Sequence, residues 1–138
     1  FGGECGAIEV DLPAQPVEAW IDPAQLRRLV RQLILNATQH GGSTRGVRVT
    51  LRPSPDGARL AVRDWGPGIE PNDLERVFDP FFRGRISVED APTGTGLGLP
   101  LCRQIVERHG GSIWAELPPD GGLRMVVELP GRGPQAGD

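Results

Sequence analysis

Gln32, Asn36 and His40 recur at i, i+4, i+8 and line up along one edge of a single predicted helix. Asn36 is the informative member, because an Asn side chain competes for backbone hydrogen bonds and is a mediocre helix former. A mid-helix Asn beside an apolar stripe is a surface residue, a satisfied buried amide, or a ligand contact. Asp64-Trp65-Gly66-Pro67-Gly68-Ile69 follows a predicted strand directly. A carboxylate at a strand end accepts a hydrogen bond from a flat ligand, and glycines beside it let the backbone approach closely. The same string also suits an ordinary turn. Thr93-Gly94-Thr95-Gly96-Leu97-Gly98-Leu99 opens a second helix. Backbone N–H groups at a helix start, next to flexible glycines, make an anion site suited to phosphate. It is not a Walker loop, since no GKS or GKT follows.

Composition bounds what can surround these residues. Gly and Pro number 20 and 14 in 138 residues, a share of turn formers that borders on the disordered range. Hydrophobic residues at 38% and a net charge of only -3 argue instead for a chain that buries a core. The length suits one domain. The 15 basic residues are all Arg, and with a net charge of -3 they leave no basic footprint for nucleic acid. No apolar run approaches the ~20 residues of a membrane helix. Nothing at the N-terminus resembles a signal peptide. Cys5 and Cys102 are too few for a disulfide framework, which fits a reducing, cytoplasmic setting. The start at Phe1 suggests a piece of something larger.

The elements that must position the three segments are legible in outline. Ala7–Asp11 alternates like a half-buried strand, and Val17–Ile21 is a second strand candidate. Asp22, Pro23 and Gln25 supply an N-cap, a first-turn proline and a capping-box partner. The helix they open runs to about His40, before Gly41-Gly42, with Leu26, Leu29, Val30, Leu33 and Ala37 on its core face. Leu35 falls opposite. Residues 47–51 and 59–62 read as a hairpin around 53–57. Pro71–Val77 is a short helix candidate, and 83–93 is a loop. Leu97–His109 is a second long helix with Cys102 on its core face, closed by Gly110-Gly111. His109 there complements the helix dipole. Ser112–Leu117 and Arg124–Leu129 are two more strands, joined by 118–122. Trp20 and Trp114 are packing residues. The pattern predicts an α+β fold: a two-layer sandwich with a mixed, mainly antiparallel sheet and helices on one face. Residues 1–130 form the domain, and 131–138 read as a flexible tail.

Taken in order, these segments resemble the ATP-binding catalytic domain of sensor histidine kinases, in the GHKL (Bergerat-type) superfamily. LRRLVRQLILNATQH (26–40) resembles the N box, DWGPGI (64–69) the G1 box, VFDPFFRG (77–84) the F box and GTGLGL (94–99) the G2 box. IVERHGGSI (105–113) and GGLRMVVELP (121–130) are similar to the helix and strands that follow. The resemblance covers nearly the whole chain.

What it implies is specific. Asn36 would hold the Mg²⁺ that bridges the ATP phosphates. Asp64 would accept from the adenine amino group, with Gly66, Gly68 and Ile69 beside the base and Trp65 nearby. Gly94, Thr95, Gly96, Leu97, Gly98 and Leu99 would flank the phosphates. Phe78, Phe81 and Phe82 would pack the base of an ATP lid over 83–93, with Arg83 or Arg85 as candidate catalytic contacts to phosphate. His40 is a helix cap or a ribose or phosphate contact. The implied activity is transfer of the γ-phosphate to a His on a separate dimerisation domain, and onward to a response-regulator Asp, in a homodimeric parent protein.

Three positions depart from the family pattern. Many kinases have Asn where this chain has Gln32, and family ATPases have a general-base Glu. Gln has no titratable group near neutral pH and cannot be that base, which favours a kinase over a hydrolase. Gln39 stands where Lys or Arg is common, so one cation near the phosphates is missing or a lid Arg replaces it. Leu123 stands where Thr is frequent. The rival readings are a GHKL ATPase, an anti-sigma-type serine kinase, and a degenerate module that serves only as a signalling surface.

Overall fold

The fold is described from a computed structural model, over residues 8–41, 46–79 and 98–132. Five strands form one sheet: β1 (Ile8–Asp11), β2 (Val47–Ser54), β3 (Gly57–Asp64), β4 (Ser112–Glu116) and β5 (Leu123–Pro130). Their order is β1-β2-β3-β5-β4. β1 runs parallel to β2, and the other neighbours are antiparallel. Two helices, α1 (Pro23–Gly41) and α2 (Gly98–Arg108), pack on the sheet and on each other. This is the α+β sandwich that the pattern predicts.

Strand alternation decides the two faces. Val47 and Val49 of β2, Leu60 and Val62 of β3, and Met125 and Val127 of β5 point toward the helices. They meet Leu29, Leu33 and Ala37 of α1 and Cys102, Ile105 and Val106 of α2 in one core. Burial pushes the Cys102 thiol up to about 12, so it is an inert core group. The other face is ionic. Arg48, Arg52, Arg59 and Arg124 pair with Glu9, Asp11, Glu128 and Glu116 of neighbouring strands. Trp114 takes part there too, under the Arg59 guanidinium and with its indole N–H on Glu116.

Several local expectations change. Val17–Ile21 is not a strand; its tie to the sheet is the Trp20 N–H on the Pro130 carbonyl at 2.6 Å. Pro13 and Pro16 before it and Pro23 after it deny a longer ladder. Trp20 instead packs edge-on against His109. The first hairpin is longer than expected: Ser54 pairs with Gly57, so the connector shrinks from 53–57 to Pro55-Asp56. Residues 71–77 make two 3₁₀ turns, Pro71–Asp73 and Arg76–Phe78, in place of one short helix. Phe78 is buried there, whereas Phe81 and Phe82 lie outside the described residues.

The helix ends show why α1 and α2 sit as they do. Asp22 Oδ2 accepts the Gln25 N–H at 3.0 Å, as an N-cap should. The reciprocal capping-box bond is replaced: the Asp22 N–H goes to His109 Nε2 at 3.3 Å. An accepting Nε2 leaves the ring proton on Nδ1, which lies 2.7 Å from the Ile105 carbonyl oxygen and donates to it. His109 is thus a hydrogen-bonding link between the start of α1 and the end of α2. Gly110 (φ 76°) closes α2, with the Gly111 N–H on Val106 and the Gly110 N–H on Glu107. Replacing Asp22 by Ala removes the cap; a loss of about 1 kcal/mol in urea melts is expected. An unchanged midpoint would show that the cap contributes nothing.

Candidate functional site: the Asp64 loop and the α1–α2 start

On β3 the inward positions run Ala58, Leu60, Val62 and then Asp64. The alternation that buries three apolar residues therefore carries a carboxylate into the helix layer. Asp64 is 4% exposed and is the buried charged side chain among the described residues. Burial raises its carboxyl above the usual range. The backbone N–H groups of Gly66 and Leu123 and the nearby Arg63 charge oppose that rise. The Gly66 N–H donates to Oδ1 at 2.9 Å. An aspartate kept under solvent-poor conditions with acceptor capacity to spare can receive an N–H of a planar ligand.

The loop after it is shaped by glycine. Gly68 has φ 71°, and a Cβ there would lie 3.0 Å from the Gly122 carbonyl oxygen. Gly122, in the β4–β5 connection, has φ 81°, and its Cβ would fall 2.1 Å from the Asp64 carbonyl oxygen. Ile69 is partly buried against the core. The adenine-loop candidates Asp64, Gly66, Gly68 and Ile69 are thus one unit, seated on the 121–122 turn. The string PPDGG reads in sequence as a plain hairpin connector, so its supporting role was missed. The Asp-Gly-Gly at its end was the available signal, since paired glycines permit positive φ and close backbone approach.

Of the helix-borne candidates, Gln32 approaches the start of α2. Gln32 and Asn36 are both partly buried on α1. A Cβ on Gly98 would stand 3.0 Å from Gln32 Oε1, so the Gln32 amide covers the first turn of α2. Gly98 and Leu99 begin that helix. The structure therefore brings the Gln32 edge to the end of the glycine-rich segment, over about 66 residues of sequence. Arg83, Arg85, Phe82, Gly94, Thr95, Gly96 and Leu97 lie outside the described residues, as does the side chain of His40.

Residues 21–133 match the family model for histidine kinase-, DNA gyrase B- and HSP90-like ATPases. The chain belongs to this family. Among curated relatives, the ATPase-family domain is 33% identical over 124 residues to the sensor histidine kinase CpxA of Escherichia coli, covering 90% of this chain and 27% of CpxA. It is 40% identical over 122 residues to the signal transduction histidine-protein kinase AfsQ2 of Streptomyces coelicolor, covering 88% of this chain and 22% of AfsQ2. The chain thus spans about a quarter of the length of the curated relatives it matches. Among solved structures, the mycobacterial sensor histidine kinase MprB superposes with TM-score 0.74 at 31% identity, over 91% of this chain and 83% of that one. The catalytic domain of the histidine kinase ThkA gives 0.75 at 28%, over 89% and 77%. The domain is of the histidine kinase-type ATP-binding catalytic kind. No helix among the described residues is long and apolar enough to cross a membrane.

Proposed function

We propose that this domain binds Mg²⁺·ATP with adenine on Asp64 and presents the γ-phosphate to a His imidazole on a separate dimerisation domain. The phosphoryl group then passes to an Asp of a response regulator. Residues 1–130 are the catalytic domain of a homodimeric parent, working in the cytoplasm. The single observation that carries the reading is the buried Asp64 carboxylate, set on a glycine loop at the end of β3.

The donor set fits the metal. No group of three or more His, Cys, Asp or Glu among the described residues could cage an ion. Mg²⁺ needs no such cage, because it keeps its waters and binds phosphate oxygens with one or two protein oxygens. The Asn36 amide oxygen is of that kind. When bound, the metal neutralises charge on the phosphate oxygens as the γ-phosphoryl moves.

The chain's own residues do the positioning. Asp64 fixes the base, and Gly66 and Gly68 admit its edge. Gln32, covering Gly98, holds the start of α2 against α1 and offers no base to activate water. Gly94, Thr95, Gly96, Leu97 and Leu99 belong to the phosphate end of the proposal, with Arg83 or Arg85 as its cations, Phe82 under the lid and His40 at the ribose. In the transfer, the imidazole nitrogen bonds to the γ-phosphorus as the bond to the bridging oxygen breaks, and ADP leaves with that oxygen.

Calorimetric titration of the chain with ATP in the presence and absence of Mg²⁺ tests this. A saturable heat that strengthens with Mg²⁺ is expected, with a change in Trp65 emission. No heat and no fluorescence change would reduce the domain to a degenerate signalling module.

A further inference from the structure

Asp64 faces the helices, so its neighbour Arg63 faces the opposite side of the sheet. There Arg63 stands in register between Arg48 of β2 and Arg124 of β5. Like charges directly opposite one another are destabilising, and each needs an anion. Arg48 and Arg124 take theirs from strands, Glu9 at 3.3 Å and Glu116 at 2.8 Å. Arg63 takes its own from the β4–β5 turn. Its Nη2 donates to Asp120 Oδ1 at 2.7 Å and to the Gly121 carbonyl oxygen at 3.0 Å. Its guanidinium lies 4.5 Å from the centroid of the Trp65 ring, and its side chain is only 15% exposed. One planar group therefore grips both the residue that follows Asp64 and the turn on which the Asp64 backbone rests.

We propose that Arg63 is a positioning residue for base selectivity: with Asp120 it locks the Asp64–Gly66 loop onto the β4–β5 turn, which aims the Asp64 carboxylate at the amino group of the purine. This rests on the reading that Asp64 receives adenine. The grip is geometric more than energetic. Asp120 is 61% exposed, and an ion pair that open to solvent contributes little to stability. A small displacement of a recognising group, by contrast, is costly for recognition. The turn supplies the remaining constraint, because Gly122 packs under Asp64 with no room for a Cβ. Loosening Arg63 or Asp120 frees the outer half of this clamp and leaves the core untouched.

The test compares ATP with inosine triphosphate, which carries a carbonyl where adenine carries its amino group. The 138-residue chain, Asp64→Asn, Arg63→Met and Asp120→Asn are each titrated with both nucleotides, and each is melted. The unsubstituted chain should favour ATP by about 10-fold or more, the scale of a lost hydrogen bond to a charged group. Arg63→Met and Asp120→Asn should each narrow that ratio by about 3-fold or more, with melting temperatures close to the parent's. Asp120 is exposed, so Asp120→Asn carries the test even if Arg63→Met folds poorly. A ratio lost in Asp64→Asn but intact in the two clamp variants overturns the role of Arg63 alone. No preference in the unsubstituted chain overturns the adenine reading of Asp64, and this proposal with it.

Discussion

Replacing Gly122 by Ala costs about 3 kcal/mol or more and lowers the melting temperature by roughly 10 °C. Two effects add. At φ 81° the backbone is left-handed, which an L side chain adopts at a cost of about 1–2 kcal/mol. The new Cβ would also meet the Asp64 carbonyl oxygen at 2.1 Å and the Trp65 Cα at 2.9 Å. Both are backbone atoms, one at the end of β3 and one at the start of the loop after it, so neither can rotate aside; β3 and the turn must separate. Gly121→Ala is the internal control. Its φ of 100° is equally unsuited to Ala, but nothing lies within 4 Å of its Cβ. It should lose only the conformational part, about 1–2 kcal/mol. Thermal melts of the two variants decide the point, and equal losses would mean that the Asp64–Gly122 contact is not a constraint. Nucleotide binding should fall with Gly122→Ala even at temperatures where the variant is folded.

Asp64→Asn separates binding from stability. The carboxylate is buried, and its folded-state pKa is raised above the unfolded value. The native state therefore holds this proton to higher pH than the unfolded state does. The charged form carries a cost that is absent below the unfolded pKa and is fully present above the folded one, so stability falls as pH rises through that window. Asn removes the titration and keeps an oxygen for the Gly66 N–H. Apo stability at neutral pH should stay within about 1 kcal/mol of the parent, and the Asp64 contribution to its acid-side pH dependence should vanish. ATP affinity, in contrast, should drop about 10- to 100-fold, the range of a hydrogen bond to a charged acceptor. Calorimetry and melts on the same samples read both. Unchanged ATP affinity would move adenine recognition elsewhere.

Much of this was legible because it is local. The capping sequence Asp22-Pro23, the 3.6-residue apolar stripe of α1 and the Gly110-Gly111 stop each fix structure within a turn or two of helix. Asp64 was legible as a carboxylate at a strand end followed by glycines, a string that also suits an ordinary turn; the structure adds that it shares the inward strand phase of Leu60 and Val62. The failures were local patterns overruled by neighbours. Val17–Ile21 has strand-like residues, but prolines on both sides leave it one sheet bond. Residues 71–77 have helix-like spacing, but the stretch is too short to repay nucleation and settles as two 3₁₀ turns.

By itself, the sequence determined most of the elements, the family resemblance and the chemical types at the candidate nucleotide site, because periodicity, caps and short motifs act over a few residues. Only the tertiary structure decided which distant residues hold those groups in place. His109 completes the cap of α1 across 87 positions, and Asp120 answers Arg63 across 57. Gly122 makes room for Asp64, and Gly98 makes room for Gln32. Contacts of that reach leave no period in the chain. They exist only once the sheet register and the helix packing have brought the partners together, which is why candidate residues could be proposed from the sequence and their supports could not.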